Sequence, residues 1–242
     1  MVMNNSLFFE HAYRATISDE DFRKLAALIE KESGIKMPAE KKVMLQNRLK
    51  KRLFQLGMTD FHTYTNYVFD KNKGAHEVLY LLNFISTNKT DFFREPAHYS
   101  FLEKELIPHL TAHNKHLKLW SAGCSSGEEA YSLAILLEEA RRNISYDFTI
   151  EGTDISVPVL QKAAKAVYPE RSVEEIPLQL RKRYFLRNKD ASKAMVRVVP
   201  QLRKKVIFKY LNFMEDAYSM PSDFDIIFFR NVLIYFNSTL RL

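Results

Sequence analysis

LKLWSAGCSSGEEAYSLAILLEEA, residues 117–140, carries three local structures in immediate succession. Leu117, Leu119 and Trp120 supply an apolar strand, and Gly123, Cys124, Ser125, Ser126 and Gly127 let the backbone turn with no bulky side chain in the way. Tyr131, Leu133, Ala134 and Leu137 then recur at helical spacing. That puts Glu128 and Glu129 in the first turn, where helix N–H groups have no internal partner. A strand, a tight turn and a helix of this kind form a βα unit of an open α/β sheet, whose ligands collect at the carboxyl ends of the strands. An ordinary glycine turn between a core strand and a surface helix has the same local pattern, so the rest of the chain must decide.

The ligand class follows from the residues around the turn. A Walker-type phosphate cradle carries a Lys after its second Gly, whereas Gly127 is followed by two carboxylates that would repel a triphosphate. The dinucleotide fingerprint GxGxxG is absent too, because the turn holds only Gly123 and Gly127. Acidic groups here suit a ligand that brings hydroxyls and a cationic amine. S-adenosylmethionine has both, together with a sulfonium, and fits better than a nucleotide carrying phosphates.

With 242 residues, 46% of them apolar, the chain has material for one large domain or two small ones. Its formal charge of +7 suits an acidic partner surface, although the excess is spread along the chain. Cys124 has no second cysteine to pair with, which agrees with a reducing cytoplasm. It reads as a small turn residue rather than a nucleophile. No stretch reaches the ~18 apolar residues of a membrane span, and the N-terminus lacks a basic start followed by an apolar run. The expectation is a soluble, cytoplasmic protein without membrane insertion. His109, His113 and His116 have no acidic or Cys ligand beside them, so no metal site is expected.

Taken in order, Ser18 reads as an N-cap before the acidic turn Asp19, Glu20 and Asp21; Phe22, Leu25, Ala26 and Ile29 follow inward, and Gly34 ends the helix. A second helix is expected over 38–56, with Met44, Leu45, Leu49 and Leu53 interleaved with Lys41, Lys42, Arg48, Lys50, Lys51 and Arg52. Such a basic face is either solvated or a docking surface for an acidic partner, nucleic acid or protein helix. No aromatic residue lies between Arg48 and Arg52 for base stacking, which leans towards protein. Asp60 caps a third helix carrying Phe61, Tyr64, Tyr67 and Val68, and a fourth spans 75–85. The first part of the chain is therefore a small all-helical unit.

The polar loop TNKTDFFRE, residues 87–95, leads to a helix opening at Pro96. Arg94 in that loop is suited to pair a ligand carboxylate in a bidentate manner; alternatively it caps the helix while Phe92 and Phe93 anchor the crossing. Beyond the glycine corner, residues 148–154 read as a second strand ending in Asp154, where a carboxylate accepts hydrogen bonds from ribose hydroxyls. The βα alternation then breaks over about 168–205. There, short strands at 184–186 and 195–199 around a polar turn indicate a small antiparallel insertion. Residues 206–210 resume a buried strand and lead into Leu211, Asn212 and Phe213. Residues 224–229 form the next strand, ending at Arg230 and Asn231; 232–236 are expected as a following strand that brings Tyr235 to the mouth of the site.

In this order and spacing TNKTDFFRE, WSAGCSSGEEAYSLA, GTDIS and FDIIFFRNVLIYF resemble the CheR-type chemoreceptor glutamate methyltransferases, over nearly the whole chain. The resemblance implies an α/β, Rossmann-like class I methyltransferase sheet with an N-terminal all-helical domain and a small antiparallel β insertion. It implies domains at 1–86 (helical), 87–116 (linker loop and helix) and 117–242 (methyltransferase). The family continues through another helix and the closing strands of the sheet, so C-terminal strands are expected to be missing from 1–242 and transfer to be impaired. By the same resemblance Asn88, Thr90, Arg94, Glu129, Asp154, Asn212, Phe213, Arg230 and Asn231 hold S-adenosylmethionine and its product S-adenosylhomocysteine. Arg94 and Tyr235 orient the cofactor and the incoming carboxylate.

The implied reaction methylates the γ-carboxylate of glutamates on the cytoplasmic helical bundle of chemoreceptors, which the second basic helix would dock through Arg48, Lys51 and Arg52. The implied protein is a monomer that does not bind nucleic acid. In some family members the insertion tethers to receptor tails; here its turn, residues 188–194, carries no glycine. Two other readings stay open: an S-adenosylmethionine-binding sensor domain and a nucleic-acid methyltransferase. Against the second, amino-directed enzymes carry an Asn-Pro-Pro-Tyr-type motif, whereas Asn231 precedes Val232 and Leu233.

Overall fold

The computed structural model describes residues 12–86, 88–190, 192–215 and 220–236. They divide into two compact units, one built on residues up to 86 with Phe213–Glu215 and 233–236, the other on 88–212 and 220–232.

In the first unit, α1 (Asp19–Ser33) begins where Ser18 Oγ accepts the Asp21 amide at 3.0 Å, and it ends at Gly34 in the left-handed region. A Cβ there would lie 2.5 Å from the Phe236 ring, so both backbone angle and space require glycine. A 3-10 turn (Ala39–Lys41) leads into α2 (Lys42–Gln55), which buries Leu45, Leu49 and Leu53. Asp60 caps α3 (Phe61–Val68), and α4 (Gly74–Ile85) closes the set.

The basic face of α2 is narrower than the sequence suggests. Arg48 donates to the carbonyls of Phe84 and Ile85 at 3.2 and 2.6 Å, which terminates α4. Arg52 forms a bidentate pair with Glu77 at 2.9 and 2.6 Å and lies 4.0 Å over the Tyr80 ring. Glu77 also accepts from the Tyr64 hydroxyl at 3.0 Å. Two of the three expected docking residues therefore also serve the interior of this unit, Arg48 through the α4 carbonyls and Arg52 through the buried Glu77; Lys51 is exposed. Arg52→Met strands the Glu77 carboxylate and is expected to cost about 3 kcal/mol in urea unfolding, whereas Lys51→Ala should cost under about 0.5 kcal/mol.

The second unit is an α/β sheet. β1 (His116–Ala122), β2 (Asp147–Asp154), β6 (Val206–Tyr210) and β7 (Ile226–Phe228) run parallel in the order β6-β2-β1-β7. The inward residues Leu117, Leu119, Phe148 and Ile150 pack against α7 (Glu128–Ala140), which is buried from Glu128 to Leu137. Residues 88–116, expected as a linker, belong to this unit. Helices α5 (Pro96–Phe101) and α6 (Ile107–His113), joined by a π-helical turn, place Tyr99, Leu102 and Ile107 in the same buried cluster as the strands.

After α8 (Val157–Lys165) the insertion is a three-stranded antiparallel sheet in the order β3-β5-β4, where β3 is Val167–Pro169, β4 Phe185–Arg187 and β5 Met195–Val198. The alternation at 184–186 and 195–199 finds two of these strands. It misses β3, only three residues long and ending in proline, and the helix α9 (Leu178–Tyr184). A last short helix, α10 (Pro200–Arg203), leads into β6.

The expected strand at 232–236 is a 3-10 turn, Leu233–Tyr235, within the first unit. Asn231 at φ 57° turns the chain off the sheet. In the first unit Lys36 N donates to Tyr235 O at 3.0 Å, and Ile35 bridges Phe236. Tyr235 is thus carried by the helical unit and not by the sheet rim. Among the described residues no helix is long and apolar enough to cross a membrane.

Candidate functional site

The site is built at the carboxyl ends of β1 and β2, whose register sets Ala122 beside Thr153. Gly123, Ser125 and Gly127 take positive φ angles of 77°, 50° and 95°, which folds the five-residue turn tightly before α7 begins. The amides of Gly123 and Cys124 both donate to Thr153 O at 2.8 Å, Ser125 N donates to Asp154 Oδ2 at 2.9 Å, and Gly127 N to Cys124 O at 3.0 Å. Four of the five turn amides are thereby spent inside the protein. A phosphate cradle needs such amides pointing at the ligand, so the turn is not one.

The rim offers acceptors instead. Asp154, 7% exposed, takes a second backbone amide from Ser156 at 2.9 Å on Oδ1. Burial pushes its pKa up, and the amides of Ser156, Ser125 and Ile155 pull the other way. Glu129 accepts from Ser121 Oγ at 2.7 Å and from Arg230 Nε at 2.9 Å. Burial raises its pKa against those two partners. Glu128 is raised by burial too, with Ser126 Oγ donating to its carboxylate at 2.8 Å.

Arg230 organises the opposite side. Its guanidinium donates to Arg94 O from both terminal nitrogens at 3.0 Å, meets His98 Nδ1 at 2.7 Å, and lies over the rings of Phe228 and Tyr99 at 5.3 and 5.5 Å. The contact needs His98 Nδ1 as acceptor, because every guanidinium nitrogen is a donor. Loop 88–95 is pinned further by Ser125 Oγ on Asn88 O at 3.0 Å and by Phe93 N on Ser132 Oγ at 2.9 Å. The Arg94 side chain, 34% exposed, donates to Lys89 O at 3.3 Å.

Of the sequence-predicted residues, Asn88, Arg94, Glu129, Asp154, Arg230 and Asn231 are joined by this network; Asn231 Nδ2 donates to Glu95 Oε1 at 3.3 Å. Thr90 lies on the same loop. Asn212 follows the end of β6, where Leu211 N donates to Asp154 O at 3.1 Å. Phe213 and Tyr235 fall in the helical unit. Ser121, His98 and Tyr99 are parts of the site that sequence reasoning missed. Ser121 leaves a legible trace, a hydroxyl at the inward position that Leu117 and Leu119 occupy before it.

Buried carboxylates at the carboxyl ends of the strands, beside a turn with little to offer a phosphate, fit an adenosyl cofactor with a cationic tail. Comparison with known proteins agrees. A family model described as CheR methyltransferase, SAM binding domain matches residues 88–242, and one described as CheR methyltransferase, all-alpha domain matches 20–86. The chain is 35% identical over 232 residues to a chemotaxis protein methyltransferase of Borreliella burgdorferi, covering 93% of this chain and 81% of the relative. With the Escherichia coli chemotaxis protein methyltransferase it shares 35% identity over 234 residues, 97% of this chain and 80% of the relative. For chemotaxis protein methyltransferase 2 of Pseudomonas aeruginosa the identity is 36% over 218 residues, 90% and 76%.

Proposed function

The chain belongs to the CheR methyltransferase family, and from that premise we propose that it methylates the γ-carboxylate of glutamates in the cytoplasmic helical bundle of chemoreceptors. The observation that carries the reading is the pair of buried carboxylates, Glu129 and Asp154, beside a turn whose amides are already spent. S-adenosylmethionine supplies an electrophilic methyl on a sulfonium and leaves as a neutral thioether, S-adenosylhomocysteine.

Asp154 accepts from the ribose hydroxyls, with Asn212 beside it. Glu129 receives the ammonium end, and Arg94 pairs with the cofactor carboxylate, with Asn88, Thr90 and Asn231 completing the enclosure; Phe213 is assigned a cofactor role by the family resemblance alone. Arg230 fixes Glu129 and the Arg94 backbone. The nucleophile is a glutamate side chain, already ionised at neutral pH, so no general base is required of the chain. Its residues contribute by alignment and by excluding water from the attacking carboxylate. By the family resemblance, Tyr235 orients that carboxylate.

The relatives' names support a chemoreceptor partner, and the net charge of +7 suits an acidic helical bundle. We place the protein in the cytoplasm as a monomer. The test is uptake of labelled methyl groups by purified chemoreceptor cytoplasmic fragments, with tRNA and duplex DNA in parallel reactions. Label in the receptor fragment alone is expected, and label in either nucleic acid rejects the reading. Lys51→Glu is expected to raise KM for the fragment about threefold at low salt, with S-adenosylhomocysteine affinity unchanged.

A further inference from the structure

A side chain of the inserted sheet reaches the glycine turn. Tyr168, on β3 opposite Val196 of β5, donates its hydroxyl to Ser126 O at 2.8 Å. Ser126 sits between Ser125, whose amide holds Asp154, and Gly127, whose close packing leaves no slack. A Cβ on Gly127 would lie 3.1 Å from that same hydroxyl and 2.9 Å from Ala163 Cβ. Tyr168 is 3% exposed, and burial pushes its pKa well above the ordinary tyrosine value, so the hydroxyl remains a donor. The ring side is equally engaged. Phe92, in the loop that carries Asn88, Thr90 and Arg94, meets Tyr168 edge-on at 5.0 Å and Phe185 of β4 at 5.3 Å.

We propose that Tyr168 is a positioning residue for the adenosyl site, through which the inserted sheet braces both the glycine turn and the 88–95 loop. Its hydroxyl fixes the Ser126 carbonyl and with it the direction of the Ser125 amide towards Asp154. Its ring, with Phe185, fixes Phe92 and the loop on the other side of the ligand. The inference rests on the adenosyl site proposed above.

The test is S-adenosylhomocysteine calorimetry on the full chain. Tyr168→Phe removes only the hydroxyl and is expected to weaken binding about fivefold, with KM for S-adenosylmethionine rising in step and kcat within about twofold. Phe92→Leu, which leaves the hydroxyl in place, is expected to weaken it about threefold. Tyr146→Phe is the matched control: its buried hydroxyl donates to Leu137 O at 2.7 Å, far along α7 from the turn. It is expected to lower the urea midpoint while leaving affinity unchanged. Affinity unchanged in both Tyr168→Phe and Phe92→Leu, or lowered equally in Tyr146→Phe, overturns the positioning role. Absence of binding by the unmodified chain overturns the adenosyl reading itself, before any variant is compared.

Discussion

Asp154→Ala is expected to weaken S-adenosylhomocysteine binding by about 100-fold, the largest cofactor effect of any single substitution at the rim. Hydrogen bonds to a charged group contribute roughly 1.5–3 kcal/mol each, and the variant also orphans the amides of Ser125 and Ser156. Calorimetry measures the loss directly, and affinity within about threefold of the unmodified chain rejects the ribose role. The pH dependence gives a second check. Burial raises the Asp154 pKa, so the accepting carboxylate is present above that raised value and is lost as pH falls through it. Cofactor affinity should therefore decline on acidification before an exposed aspartate would titrate. Stability of the free chain responds with the opposite sign. Asp154, Glu128 and Glu129 all have raised values when folded, so their contribution is fullest below the ordinary carboxylate range and is lost as pH rises through the raised values. A pH titration in which affinity and these carboxylates' stability term move together would contradict this assignment.

Arg230→Met is expected to destabilise the chain by about 3 kcal/mol, a fall of roughly 6–12 °C in Tm for a domain of this size. The Arg230 and Glu129 side chains are 13% and 12% exposed, so the variant leaves a buried carboxylate with Ser121 alone. It also removes the donors that hold Arg94 O. Adding Glu129→Gln to Arg230→Met should recover part of the loss, because a neutral amide tolerates burial beside a serine hydroxyl. Urea unfolding of the two singles and the double measures the coupling. Additive losses would mean that the ion pair does not organise the rim.

How much of this was legible in the sequence depends on whether the cause was local. The corner at 117–140 could be read because strand alternation, small turn residues and helical spacing are each encoded within a few positions. Arg230 and Glu129 lie 101 residues apart, and no local pattern announces that they pair. The partners of the α2 charges are equally invisible in the sequence. Arg48 and Arg52 look like a solvated or docking face until the α4 carbonyls and Glu77 are seen to receive them. The apolar run at 232–236 has strand composition, but the positive φ of Asn231 and the pairing of Tyr235 with Lys36 override it. Short β3 carries too few residues to show alternation, although Tyr168 within it donates to Ser126 O of the glycine turn.

The most direct measurement of the central claim is the chemical lability of the methyl group transferred from labelled S-adenosylmethionine to a chemoreceptor fragment. A carboxylate nucleophile gives a methyl ester, so mild base should release the label as volatile methanol, and changing the receptor's methyl-accepting glutamates to alanine should abolish its incorporation. Label that survives base, as a methylated amine or base would, or that persists without those glutamates, contradicts the account.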